Sequence, residues 1–285
     1  MLRVAIPNKG VLSQAAIDML KQAGYATRRD TRDLYVLDEH NGVEFFYLRP
    51  RDIATYVGSG AVDVGVTGRD FLLDSETEAT AEMDLKFGRS KFRLAGEPGR
   101  FHDLADIAGL RVATSYSKLL GDYLAERDIS VHLVHLDGAV ENAIRLGVAD
   151  VVADVVETGT TLRYAGLQIF GPVVLESSAV LVSSPRARTD AELNAEARVL
   201  GERLQGVRVA REYVLLDYDV PKEHLDEATA LTPGLESPTV SPLADTDWLA
   251  VRAMAPRQHI NDTVDELYRI GARAILVSTL NTARI

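Results

Sequence analysis

Val151-Val152-Ala153-Asp154-Val155-Val156-Glu157-Thr158-Gly159-Thr160-Thr161-Leu162 is the stretch on which the reading of this chain turns. Its first half, Val151–Val156, is apolar at every position except Asp154, as a strand covered on both faces must be. The next five residues are small, hydroxylated or acidic, with one glycine. Glycine lets a backbone come close to a ligand. Successive N–H groups in such a turn, at the start of a helix, form a concave site for an anion. Thr158, Thr160 and Thr161 add hydroxyl donors. A phosphate monoester fits this turn, and Asp154 is then placed to accept hydrogen bonds from sugar hydroxyls. The same composition also describes a threonine-rich turn with an N-cap, and the segment alone leaves both readings open.

The phrase of strand, polar turn and helix recurs outward from this point. Leu2–Pro7 precedes Asn8-Lys9-Gly10 and a helix to about Ala23. Val62–Thr67 precedes Gly68-Arg69-Asp70, and Leu110–Ala113 precedes Thr114–Lys118 and a helix to about Arg127. Apolar strands alternating with helices predict an α/β fold built on parallel sheet. In such sheets ligands bind beyond the C-terminal ends of strands, where all four turns lie. Leu34–Asp38 and Asn41–Leu48 read as a hairpin turned at Asn41-Gly42. Phe87–Gly99 is irregular, and a second α/β unit begins after it. Leu175–Val182 is an apolar strand that returns the chain to the first unit, and Ala191–Leu204 is a helix. Beyond it the order changes. Strands at Val207–Leu216, Thr239–Leu243, Leu249–Met254 and Ala274–Ser278, with helices from Pro221 to about Ala230 and over Ile260–Ile270, give the β-α-β-β-α-β order of a ferredoxin-like domain. The expected domains are 1–90 with 184–211, then 91–183 with the threonine loop, then 212–285.

Composition narrows the function. A formal charge of −11 disfavours non-specific nucleic-acid binding, which needs a basic face. The absence of cysteine removes disulfides, thiolate nucleophiles and cysteine zinc sites. The histidines include no helical pair, so no protein metal site is expected. No apolar run approaches the ~18 residues of a membrane helix, and MLRVAIPNKG lacks a signal peptide's apolar stretch. A cytoplasmic protein without membrane or nucleic-acid partners is expected.

Glu141, Gly147, Ala149, Val152, Asp154, Val155, Thr158, Gly159, Thr161 and Leu162 stand at spacings that resemble the signature of the ATP phosphoribosyltransferases. The match runs from Glu141 to Leu162 without a gap. Leu2–Gly10, Phe45–Gly60, Gly65–Asp70 and Leu216–Asp247 also resemble the long form of that family. The resemblance implies an enzyme that joins ATP to phosphoribosyl pyrophosphate as the first step of histidine biosynthesis, with Mg2+. It implies two periplasmic-binding-protein-like α/β domains forming a cleft, plus an ACT-like regulatory domain. It places the sugar 5′-phosphate on Glu157, Thr158, Gly159, Thr160 and Thr161 and the ribose on Asp154. Lys9, Arg49 and Asp70 would line the nucleotide cleft. The C-terminal domain would bind inhibitory histidine between subunits through Asp219, Leu235, Ser237, Thr239 and Ala274, in dimers that assemble to hexamers.

The remaining candidates come from the turns themselves. Arg51 and Arg69 are further strand-end cations. Phe71, Leu72 and Tyr116 suit either adenine contacts or core packing, and Lys118 accompanies Tyr116. Two other readings fit parts of the pattern. One is a two-lobed small-molecule binding or sensor protein without catalysis. The other is a different phosphoribosyltransferase class, which shows two adjacent acids where this chain has Asp154-Val155.

Overall fold

β1 (Leu2–Pro7) is buried at every position but Arg3, and hydrophobicity this continuous demands neighbours on all sides. In the computed structural model, which describes residues 1–27, 33–244 and 247–284, those neighbours are two parallel strands. The chain continues through α1 (Val11–Gln22), the hairpin β2 (Tyr35–Asp38) and β3 (Val43–Leu48), α2 (Pro50–Gly58), β4 (Val64–Gly68), α3 (Arg69–Asp74) and β5 (Thr80–Asp84). Helix α2 packs tightly on β4: a Cβ at Gly65 would stand 2.6 Å from Ile53 Cγ2, so glycine sets that approach. The first sheet has the order β2-β3-β1-β4-β11-β5, where β11 is Ala179–Ser183.

The second sheet is built from β6 (Ser90–Gly96), β7 (Arg111–Thr114), β8 (His132–His135), β9 (Val151–Val156) and β10 (Gln168–Ser177) in the order β10-β6-β9-β7-β8. Between its strands lie α4 (Ser117–Ala125), α5 (Asn142–Arg145) and α6 (Thr160–Tyr164). Phe92, Leu94, Val112, Leu120, Val151 and Phe170 form its main core. After β11 come α7 (Pro185–Thr189) and α8 (Ala191–Glu212).

The strand-helix alternation predicts parallel sheet, but neither sheet is purely parallel. β7 runs parallel to β8 and β9, but β6 is antiparallel to β9 and β10, and β11 is antiparallel to β4 and β5. The reason is the crossovers. β5 leads into β6 through the short turn Leu85–Arg89, and β10 leads into β11 through Ser178 alone, with no helix to reverse the chain. What reads as the single strand Leu175–Val182 is therefore two, one in each sheet, parted at Ser177-Ser178. The irregular Phe87–Gly99 contains an internal strand of the second sheet.

The chain divides into two compact units, Met1–Gly201 and Glu202–Ile285. In the second, β12 (Tyr213–Pro221), α9 (Leu225–Leu231), β13 (Thr239–Pro242), β14 (Trp248–Pro256), α10 (Ile260–Arg269) and β15 (Arg273–Thr279) form an antiparallel sheet, β13-β14-β12-β15. That is the expected ferredoxin-like order. The first strand begins later than predicted, because α8 runs on to Glu212. Val207 and Val209 alternate as strand residues do, yet with Ala210 they are buried residues of a helix. The fold is thus two periplasmic-binding-protein-like α/β lobes with a cleft, and a ferredoxin-like domain. Among the described residues no helix is long and apolar enough to cross a membrane.

Candidate functional site

β9 carries Asp154 to the C-terminal edge of the second sheet. Gly159 caps α6 with φ +73, a left-handed conformation that a side chain rarely tolerates. The first N–H groups of a helix have no intrahelical acceptor, and the residues that carry them in α6, Thr160 and Thr161, border the same space as Asp154. The resulting hollow has a volume of about 280 Å³ and is lined by Glu141, Asp154 and the whole of Val155–Leu162. All five predicted loop residues and Asp154 are brought together here. The hydroxyls of Thr158 and Thr160 lie 2.8 Å apart, and the Arg163 guanidinium reaches back to Thr160 Oγ1 at 3.3 Å. Sequence reasoning gave Arg163 no role, although it stands one helical turn after Thr160. It supplies positive charge to a loop that otherwise has only neutral donors.

Asp154 is half-buried, and its carboxylate accepts the Val155 N–H at 2.8 Å. Burial, followed by the charges of Glu141 and Asp70, pushes its pKa up to about 6, against the Val155 amide and Arg51, which favour the anion. An acid held at this value takes sugar hydroxyls or a cation readily, because either relieves its desolvation.

Asp70 occupies the N-terminal turn of α3 and is buried. One oxygen accepts the Ser177 hydroxyl at 2.7 Å and the other accepts the Tyr116 hydroxyl at 2.9 Å. Burial, then the Asp70 carboxylate, pushes the Tyr116 phenol well above its ordinary range, so it stays a donor. Tyr116 stacks on Phe71 at 5.5 Å between centroids, and the Arg51 guanidinium lies over both rings. Arg51 also pairs with Asp74 at 2.7 Å, whose second oxygen accepts the Lys118 and Leu119 N–H groups at the start of α4. α3 of one lobe is thus bolted to α4 of the other.

A second hollow, about 200 Å³, opens beside this joint between Lys9, Gly10, Pro50, Asp70, Phe71, Tyr116 and Glu157, among others. Lys9 and Asp70 therefore share a cavity, as expected, and Tyr116 and Phe71 form its aromatic wall. Arg49 does not join them. It is exposed at the N-cap of α2 and has no side-chain partner among the described residues. Leu72 packs in the core of the first lobe, and Lys118 pairs with Asp122 on the exposed face of α4. Arg69 lines a third hollow. Glu157 borders all three.

In the C-terminal unit, Asp219, Thr239 and Ala274 line one hollow of about 450 Å³ with Asp217, Ser241 and Arg252. Ala274 has φ +48 where the β12–β15 register shifts, so the backbone bulges at this point. Leu235 and Ser237 lie on the preceding loop, outside that lining. No cluster of three or more His, Asp or Glu side chains suited to a metal occurs among the described residues.

Fold and site together define a class: a two-lobed α/β protein with an acidic, threonine-rich hollow beside an aromatic one. A family model described as HisG: ATP phosphoribosyltransferase matches residues 49–206, and one for the HisG C-terminal domain matches residues 210–282. The chain is 58% identical to an ATP phosphoribosyltransferase of Arthrobacter sp. (strain FB24) and 53% identical to one of Streptomyces avermitilis, covering 100% of both chains in each case. It is also similar to a solved ATP phosphoribosyl transferase (HisG:HisZ) complex from Thermotoga maritima, at 28% identity and TM-score 0.61, over 72% of this chain and 99% of that one. The chain belongs to the ATP phosphoribosyltransferase family, pentosyl-transferring enzymes of histidine biosynthesis whose substrates are ATP and phosphoribosyl pyrophosphate.

Proposed function

We propose that this chain transfers the phosphoribosyl group of phosphoribosyl pyrophosphate to N1 of ATP, with the sugar phosphate seated in the Asp154–Leu162 hollow. The observation that carries this reading is the meeting of a half-buried acid and an open, hydroxyl-rich helix start in one cavity. The N1 lone pair forms the new bond to the anomeric carbon. The old C–O bond breaks with its electron pair on the departing pyrophosphate, which can take up the proton that the adenine amino group gives up. Positive charge gathers on the sugar in the transition state, where the Asp154 carboxylate favours it. The backbone N–H groups and threonine hydroxyls hold the 5′-phosphate, and the Phe71–Tyr116 wall positions the base. No covalent protein nucleophile is required, so alignment and charge stabilisation carry the catalysis.

Mg2+ neutralises polyphosphate charge when bound, and the acidic pair Glu141 and Asp154 on the wall of the loop hollow is chemically suited to it. The C-terminal hollow of Asp219, Thr239 and Ala274 takes histidine as a feedback inhibitor, the acid meeting its ammonium group. The chain works in the cytoplasm as a homo-oligomer, with dimers assembling to hexamers. An effector bound there acts by favouring one subunit arrangement. The test is to incubate the protein with ATP, phosphoribosyl pyrophosphate and Mg2+ and follow phosphoribosyl-ATP, then to add histidine. Product formation that histidine suppresses supports the reading. No product, or product indifferent to histidine, refutes the corresponding half.

A further inference from the structure

β15 closes at Thr279, and the residues after it return to the C-terminal half of α8. The Ala283 N–H donates to the Gly206 carbonyl at 3.0 Å, in the interior of that helix. A Cβ at Gly206 would stand 2.6 Å from the Ala283 carbonyl oxygen and 2.8 Å from Thr282 Oγ1. Arg284 pairs with Glu202 at 3.9 Å, one helical turn before Gly206. Glycine is a poor residue for a helix interior. Gly206 has no positive φ, so conformational freedom does not account for it, and the close approach of the terminal segment does. The C-terminal end of α8 is held as well, by the Arg257 guanidinium, which donates to the Arg211 carbonyl at 3.1 Å. The boundary between the two compact units falls inside this helix, after Gly201, so one unbroken helix is common to both.

β15 also walls the C-terminal hollow, through Ala274 and Leu276. Its pairing with β12 is irregular there, with a register shift between Asp217 and Asp219. A bulge interrupts the ladder, so the strand is least constrained at this point. Beyond it Leu276–Thr279 pairs regularly with Val214–Asp217 and leads straight into the terminal segment. We propose that Leu280–Arg284 is a coupling strap that carries the occupancy of the C-terminal hollow from β15 to α8. This rests on the reading of that hollow as the histidine site. A ligand seated against Ala274 pins the bulge in one arrangement. The regular part of β15 follows as a piece, and the strap follows with it. Gly206 and Glu202 give the strap its grip on α8. An effector acts only through a difference in its free energy between two arrangements, and β15 with its bulge free or pinned supplies them. The link is remote in sequence, since Gly206 and Ala283 meet only through the fold.

The test compares wild type, Gly206→Ala and a chain that ends at Thr279. Alanine favours the helix while its Cβ evicts the strap, so this variant keeps α8 and loses the tie. The readouts are calorimetric histidine binding, histidine inhibition of phosphoribosyl-ATP formation, and amide exchange with and without histidine. Both variants should turn over as wild type does and bind histidine no more weakly. They should need about tenfold more histidine, or worse, for half-inhibition. Histidine should slow amide exchange over Glu202–Glu212 in wild type and leave it unchanged in the variants. Wild-type inhibition in Gly206→Ala overturns the proposal, because the strap is then idle. Loss of histidine binding itself in that variant overturns it too, because the strap then only supports the hollow. A wild type that binds no histidine strikes instead the reading of the C-terminal hollow, and the coupling falls with it.

Discussion

The Tyr116 hydroxyl donates to the Asp70 carboxylate at 2.9 Å, and the two residues, 46 positions apart, sit at the helix starts of different lobes. With Ser177 on the other oxygen, Asp70 has protein partners for both of its oxygens. Within the cavity it shares with Lys9 it therefore also fixes Tyr116 and the crossover at Ser177. Tyr116→Phe removes one donor from a buried acceptor and should cost about 1–2 kcal/mol. Urea denaturation measures this, and an unchanged midpoint would mean that the bond does not join the lobes.

Asp154 should give the enzyme its acidic limb. The carboxyl titrates at about 6 in the folded chain against an ordinary 3.8, so kcat/KM should rise with pH through an inflection near 6 as the anion forms. Asp154→Asn should lose both this limb and nearly all turnover. A pH profile flat between 5 and 7 in the wild type argues against an essential Asp154 anion.

The same shift has a consequence for stability. Between 3.8 and about 6 the folded state binds more protons than the unfolded state, so this group's contribution falls as pH rises through that window. At pH 7 Asp154→Asn should therefore be more stable than wild type, by on the order of 1–3 kcal/mol. Thermal melts at pH 5 and pH 7 would show a gain at both, larger at the higher pH. Equal melting temperatures at pH 7 would mean that the site is not strained by its acid.

Gly88 tests the crossover. Its φ of +61 is unfavourable for any side chain, and a Cβ there would strike Leu12. Gly88→Ala should cost about 1 kcal/mol or more and weaken ATP binding, because Gly88 lines the cavity walled by Phe71 and Tyr116. A variant with wild-type stability and affinities would show that the turn is loose.

Removal of residues 212–285 should leave ligand binding by the first unit and abolish histidine inhibition. Persistent inhibition would move the effector site out of the C-terminal unit.

That Asp154 and the threonine turn border one hollow was legible in sequence because a buried strand, a glycine and hydroxyl residues are local signals, contiguous in the chain. The ferredoxin-like order was legible for the same reason. Ser177-Ser178 as a crossover was not, since apolar residues on either side of it mimic one strand. The end of α8 was obscured because Val207 and Val209 fit two periodicities. The joint of Arg51, Asp70, Asp74 and Tyr116 was invisible because every bond in it links segments distant in sequence. Arg49 shows the converse limit: its strand-end position is the same as that of Lys9, but it is exposed and does not line the cavity that Lys9 and Asp70 share.

The central claim is that the Asp154–Leu162 hollow holds the phosphoribosyl group. Calorimetric titration of phosphoribosyl pyrophosphate into wild type, Thr161→Val and Asp154→Ala tests it most directly. The account predicts tight binding by wild type, affinity about tenfold weaker or worse in Thr161→Val, and loss of turnover in a folded Asp154→Ala. Wild-type affinity in Thr161→Val together with wild-type rates in Asp154→Ala would contradict it.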